Sequence, residues 1–263
     1  MSKSKGGVRI RRLSYQADPS GPRMRYGLAW FLLQALAFRV GLWGLAVVFA
    51  GAAGLAAWQL AGAWQKAKRE PEPWLCAVLA AAIPLVAAVD SAVIGAVVLG
   101  GVLVGAVAAA FLLREPMRVI AAVGIDIQSW LFVGLATAAP IIAYRFEPGA
   151  ALVLLIYVNI YDAGAFMIGV ESPNLYEGPI AGLVGIAVAG FAVAVLAIPP
   201  FTHQTAALFA VLAGFLSILG PLAGSFLLPR FDAEAPALRR IDTLLVLGPV
   251  WAWSIGLLMA SLT

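Results

Sequence analysis

YGLAWFLLQALAFRVGLWGLAVVFAGAAGLAAWQLAGAW, residues 26–64, is the stretch whose reading decides the fold. It is apolar almost throughout. Arg39 and Gly41 interrupt it near the middle, and Gln34 stands inside its first part. It reads either as one surface helix plus one membrane span, or as two spans that break near Arg39–Gly41. Basic residues decide between these readings, because Lys and Arg collect on the cytoplasmic side of a membrane protein. With one span here the chain has eight, and its 17 Lys and Arg split 9 inside to 8 outside. With two spans it has nine. Lys66, Lys68, Arg69, Arg114, Arg118, Arg230, Arg239 and Arg240 then join the tail, and only Arg39 and Arg145 are left outside. That split of 15 to 2 selects nine spans, with the N-terminus in the cytoplasm and the C-terminus outside.

The rest of the chain demands a membrane. Of 263 residues 63% are hydrophobic and 11% charged, with a mean hydropathy of +0.97. A soluble domain carries roughly 25% charged residues, so this one could not coat itself for water. Lipid must cover most of its surface. Further spans of about 20 residues read at 73–89, 91–113, 125–144, 149–169, 178–198, 204–228 and 241–262. Prolines mark most breaks: Pro71, Pro73, Pro116, Pro148, Pro179, Pro199, Pro200 and Pro236. The expected fold is all-α, a polytopic transmembrane helix bundle. It is one membrane domain, 26–263, behind a basic cytoplasmic tail, 1–25. The first span, roughly 26–40, is the short one.

The tail holds Lys3, Lys5, Arg9, Arg11, Arg12, Arg23 and Arg25. It reads as a topology signal that touches anionic headgroups, with no nucleic acid as partner. One cysteine, Cys76, excludes an intrachain disulfide, and one histidine, His203, excludes a multi-histidine metal site. Pairs of glycines four apart, Gly101/Gly105, Gly178/Gly182 and Gly220/Gly224, let helices approach closely.

Ionisable groups inside hydrocarbon are costly, and each needs a reason. Asp162 lies within the span 149–169, about 10 Å from its Gly169 end at 1.5 Å per residue. Asn159 shares its face and Tyr161 is adjacent. The polar run Glu171–Gly178 follows, with Ser172, Asn174 and Glu177. Glu177 at a helix start also suits the helix dipole. Arg239-Arg240-Ile241-Asp242 opens the last span. Its arginines read as interfacial anchors, or as phosphate ligands whose planar fork donates bidentately. The three groups fall on three spans, all at the cytoplasmic end. Carboxylates with arginines nearby are what Mg²⁺-dependent phosphoryl or nucleotidyl transfer requires.

The run Asp162-Ala163-Gly164-Ala165-Phe166-Met167-Ile168-Gly169 resembles the D-x-G-A-Y-x-x-G segment of phosphatidate cytidylyltransferases. Ser172-Pro173, Glu177-Gly178 and Gly182 resemble that family's S-P-x-K-T-x-E-G-x-x-G motif, one residue shorter. Gly220, Leu222 and Ser225 are similar to G-D-L-x-E-S, and Arg240-Ile241-Asp242-Thr243-Leu244-Leu245 to D-R-x-D-S-L-L. The resemblance covers about 157–250. It implies a membrane nucleotidyltransferase forming CDP-diacylglycerol from CTP and phosphatidic acid, with Mg²⁺ as cofactor and a homodimer as a compatible assembly. It implies Asp162, Glu177 and Asp242 as catalytic residues, Asp242 and Asp162 as metal ligands, and Ser172, Asn174, Arg239 and Arg240 near substrate. The chain departs from the pattern where Pro221, Gly224 and Arg239 replace family acids and Asn174-Leu175 replaces Lys-Thr. The alternatives are a catalytically inactive relative serving as a partner or lipid-binding subunit, and an unrelated transporter or prenyl-lipid enzyme. The last two would show internal symmetry or aspartate-rich D-x-x-x-D motifs, and neither is present.

Overall fold

The structure, a computed structural model, describes residues 22–67, 71–112, 116–169, 172, 174, 176–230 and 233–262. The basic tail therefore lies outside the described residues except for its last few, as do Val170, Glu171, Pro173 and Leu175 of the polar run. Among the described residues there are nine α-helices: α1 Pro22–Val40, α2 Leu42–Lys66, α3 Pro73–Val89, α4 Ile94–Leu112, α5 Pro116–Phe146, α6 Pro148–Gly169, α7 Glu177–Leu196, α8 His203–Leu227 and α9 Asp242–Leu262. Short 3₁₀ turns at Ser91–Val93 and Leu238–Arg240 precede α4 and α9. The chain is an all-α bundle. Seven helices are long and apolar enough to cross a membrane, and α3 is a shorter apolar helix.

Proline sets several helix starts. Pro73 begins α3, Pro116 α5 and Pro148 α6. Proline has no N–H to lose at a first turn, and its fixed φ already suits the helix. Four other prolines, Pro84, Pro140, Pro221 and Pro249, sit inside helices, which neighbouring helices tolerate in membrane bundles.

Consecutive helices run antiparallel, as contacts at the two ends show. At one end the α2 residue Trp64 donates its indole N–H to the Leu227 carbonyl that closes α8, at 2.9 Å. Gln128 of α5 donates to the same carbonyl at 3.3 Å. The Ala237 N–H, just before α9, donates to Gln59 of α2 at 2.8 Å. At the opposite end Arg145 of α5 donates to the Ala87 carbonyl near the end of α3, at 3.1 Å. There too a Cβ on Gly149, at the start of α6, would meet the Pro199 carbonyl at 1.9 Å. The backbones of α6 and the α7–α8 link thus touch directly.

The first helix runs the depth of the bundle. Its start lies against Arg240, at the mouth of α9, and its end lies beside Tyr144, near the end of α5. One residue, Gly41, joins it to α2 with φ +103°, a left-handed backbone that glycine adopts without a Cβ clash.

The helix α5 begins nine residues before the expected 125. The expected span leaves out 116–124 because Pro116 and Arg118 read as part of a cytoplasmic break. It already holds Asp126 and Gln128, and each of these has a partner. Asp126 is buried and accepts from the Glu72 N–H at 3.2 Å, at the start of α3. A carboxylate there satisfies an orphan donor and faces the positive end of the helix dipole. Asp126→Ala should therefore cost about 1–2 kcal/mol, the scale of a lost N-cap, seen as a lower thermal midpoint in detergent. An unchanged midpoint would mean that α3 does not use this carboxylate.

In lipid, close van der Waals contact and interhelical hydrogen bonds hold helices together, since lipid is as apolar as the core. The core here is accordingly rich in alanine and glycine. Two of the glycine pairs pack as expected. Gly178 meets Gly169 and the Ala165 carbonyl of α6, and Gly182 meets Tyr161. On α8, Gly220 and Gly224 receive the start of α9. The third pair is split: Gly101 meets Trp130, but Gly105 faces open space. Near the opposite end, fully buried Trp251 packs edge-on against Tyr157 and Phe209 and donates to the Ala150 carbonyl at 3.2 Å.

Candidate functional site

The site is made by the close approach of α8 and α9. A Cβ on Gly220 would lie 2.5 Å from the Asp242 carbonyl oxygen and the Thr243 Cα, and one on Gly224 would lie 2.9 Å from the Asp242 Cβ. With no side chain on either glycine, the first turn of α9 sinks into α8. That buries Asp242 and Thr243. Thr243 then donates its hydroxyl to Asp162 of α6 at 2.6 Å. This bond ties α6 to α9 beside the two carboxylates.

Arginines flank the pair. The Arg239 guanidinium lies 3.7 Å from Asp242 Oδ2. It also donates to the Ser225 hydroxyl at 3.0 Å and to the Pro221 carbonyl at 3.4 Å, both on α8. Ser225 itself donates to that carbonyl at 2.8 Å. Arg240 is half-buried and reaches under α1, where a Cβ on Gly27 would sit 3.1 Å from its Nη1. It also acts electrostatically on Asp162, which is half-buried itself. Two carboxylates and two guanidiniums thus share one end of the bundle, on α6, on α9 and on the turn before α9. Charges in a poor dielectric persist only when paired like this.

The other sequence-nominated residues gather separately. Ser172 donates to one Glu177 carboxylate oxygen, and the Asn174 amide to the other. Ser172 also receives the Asn174 N–H at 3.0 Å. These bonds make a closed knot at the start of α7. Among the described residues, no contact joins Glu177 to Asp162 or Asp242. Of the three carboxylates expected to converge, two do, and the third is held by the side chains of Ser172 and Asn174 in the first turn of α7, where a negative charge suits the helix dipole. The knot stays close to α6 through the Gly169–Gly178 contact.

Several contributors were not nominated from sequence. Thr243 and Ser225 are ordinary hydroxyls until folding places them on Asp162 and Arg239. Gln34 of α1 is buried and accepts from the Asn159 amide of α6 at 2.8 Å. Asn159 also donates to the Leu155 carbonyl at 2.7 Å. A glutamine inside a short apolar helix was the available signal for that pair.

Among the described residues, no group of three His, Cys, Asp or Glu side chains is arranged to hold a metal ion. Asp162 and Asp242 make no all-protein cage. Asp242 is buried and its carboxylate faces the Arg239 cation, while Asp162 accepts from Thr243. Compared with known proteins, the chain matches no protein-family model and no curated protein.

Proposed function

We propose that this chain is a membrane nucleotidyltransferase-like protein that handles an acidic phospholipid, with the chemistry of a phosphatidate cytidylyltransferase. The observation that supports it is the meeting of Asp162 and Asp242 with Arg239 and Arg240 at one end of the bundle. The segments that resemble the family's motifs contribute the residues that meet: Asp162 from the first, Ser225 from the third and Asp242 with Thr243 from the last.

In the proposed reaction, a phosphate oxygen of phosphatidate attacks the α-phosphorus of CTP. A P–O bond forms there, the bond to the bridging oxygen breaks, and pyrophosphate leaves. The product is CDP-diacylglycerol. Arg240 and Arg239 receive phosphate oxygens, for which the guanidinium fork is suited. Thr243 fixes the Asp162 carboxylate, and Asp242 holds Arg239 in place until substrate arrives. Ser172, Asn174 and Glu177 line the approach from the α7 start. Mg²⁺ held by Asp162 and Asp242 would supply the charge neutralisation that phosphoryl chemistry needs.

The proposed orientation puts the Asp242 end in the cytoplasm of a cell whose cytoplasmic membrane holds the protein. Lys66, Arg230, Arg239 and Arg240 lie toward that end, and Arg39 and Arg145 toward the other, which suits the positive-inside rule.

A second reading is a non-catalytic relative that binds acidic lipid. Arg239 favours it, since it pairs with Asp242 at a position where the family has an acid. One assay separates the two. Purified protein with labelled CTP, Mg²⁺ and phosphatidate should release pyrophosphate. Asp242→Asn should lower the rate about 100-fold or more, as removal of a key transition-state charge does. Lipid binding without turnover selects the second reading. Neither binding nor turnover, with any acidic phospholipid, would end both.

A further inference from the structure

The helix α1 touches the bundle along one seam: Gly27, Trp30, Gln34, Ala37 and Phe38. These positions recur at helical spacing, and the rest of the helix from Arg25 onward is exposed. The seam has three fastenings. Phe38 packs edge-on against Tyr144, with ring centroids 5.5 Å apart, next to the Gly41 joint. Trp30 packs edge-on against Phe49 of α2 at 5.7 Å. Between them Gln34 accepts from Asn159, one turn of α6 from Asp162. The far end of α1, at Gly27, covers the Arg240 guanidinium.

This is the geometry of a hinged cover. The joint is a single glycine in a left-handed conformation, so the two helices share no continuous backbone ladder. The polar fastening is replaceable, because the Asn159 amide keeps the Leu155 carbonyl when Gln34 leaves. Such bonds are weak in membranes because alternative partners exist. The covered group is cationic and half-buried under α1, at the end of the bundle where lipid headgroups meet a membrane protein, and half-buried Asp162 lies at the same end.

We infer that α1 is a lateral lid. It swings about Gly41 on release of the Gln34–Asn159 bond and admits the phosphate headgroup of a membrane lipid to Arg240. The lipid part of this inference rests on the proposed function, and the hinge does not.

Double electron–electron resonance tests it in nanodiscs. Spin labels replace Leu28 on α1 and Phe226 on α8, both exposed, in a Cys76→Ala background. Phosphatidylcholine discs should give two distance populations. Gln34→Leu should raise the longer-distance one about threefold, the scale of one interhelical hydrogen bond. Phosphatidate in the disc should shift the populations, and inorganic phosphate added to phosphatidylcholine discs should not. A single narrow distance, unchanged by Gln34→Leu, overturns the lid. Populations that answer to Gln34→Leu but not to phosphatidate keep the hinge and overturn the lipid-phosphate reading. A shift with inorganic phosphate would identify a soluble phosphate as the ligand and overturn lipid admission.

Discussion

Gly220→Val should leave little or no folded protein. The new Cβ would lie 2.5 Å from the Asp242 carbonyl oxygen and from the Thr243 Cα. Both are backbone atoms, so no rotamer change relieves the overlap. The two helices must part, and a cost of about 3 kcal/mol follows from overpacking of this kind. Thr243 moves with its helix, so the bond to Asp162 is lost as well. The measure is the yield of monodisperse protein in detergent, with its thermal midpoint. Gly62→Ala is the control, since a Cβ there meets nothing within 4 Å. If Gly220→Val behaves like the control, α8 and α9 are not in backbone contact and the site as described does not exist.

Arg239→Ala should be the next most damaging change. It removes the guanidinium beside a buried carboxylate and takes away the N–H that Ser225 accepts, while the Pro221 carbonyl keeps the Ser225 hydroxyl. Breaking a buried pair from one side costs about 3–5 kcal/mol. The Arg239 side chain is 32% exposed and water screens it in part, so about 2–3 kcal/mol is expected. The double variant Arg239→Met/Asp242→Asn should recover most of this, because the charge that needed a partner is gone. The comparison is of thermal midpoints in one detergent. Equal losses in the single and double variants would show that the pair is not energetically coupled.

The fold was legible in the sequence because the physics behind it is coarse. Lipid admits only segments that satisfy their own backbone, so apolar runs broken by prolines could hardly be anything but helices. The break at Gly41 was legible too, through the charge bias rather than through the glycine. The start of α5 was not. Pro116 and Arg118 read as a break between spans, yet Pro116 is the first residue of the helix, where a proline has no hydrogen bond to lose. The site was half legible. Asp162 and Asp242 stood out as intramembrane or boundary acids, and Arg239 and Arg240 as their neighbours. Their meeting required Gly220 and Gly224 to act as a socket, which spacing alone could not distinguish from ordinary packing. Glu177 had two available roles, and its described partners, the side chains of Ser172 and Asn174, are local ones in the polar run itself.

The contact of Gly149 with Pro199 has a mechanical consequence. With backbone against backbone, the far end of the molecule has no slack: α6 cannot draw away from the α7–α8 link there without losing the contact altogether. At the near end the same helix is tied by a hydroxyl to a carboxylate, a linkage that a competing ligand can replace. The protein is built like a pair of tongs, riveted on one side of the bilayer and sprung on the other, so small displacements should grow toward the charged tips.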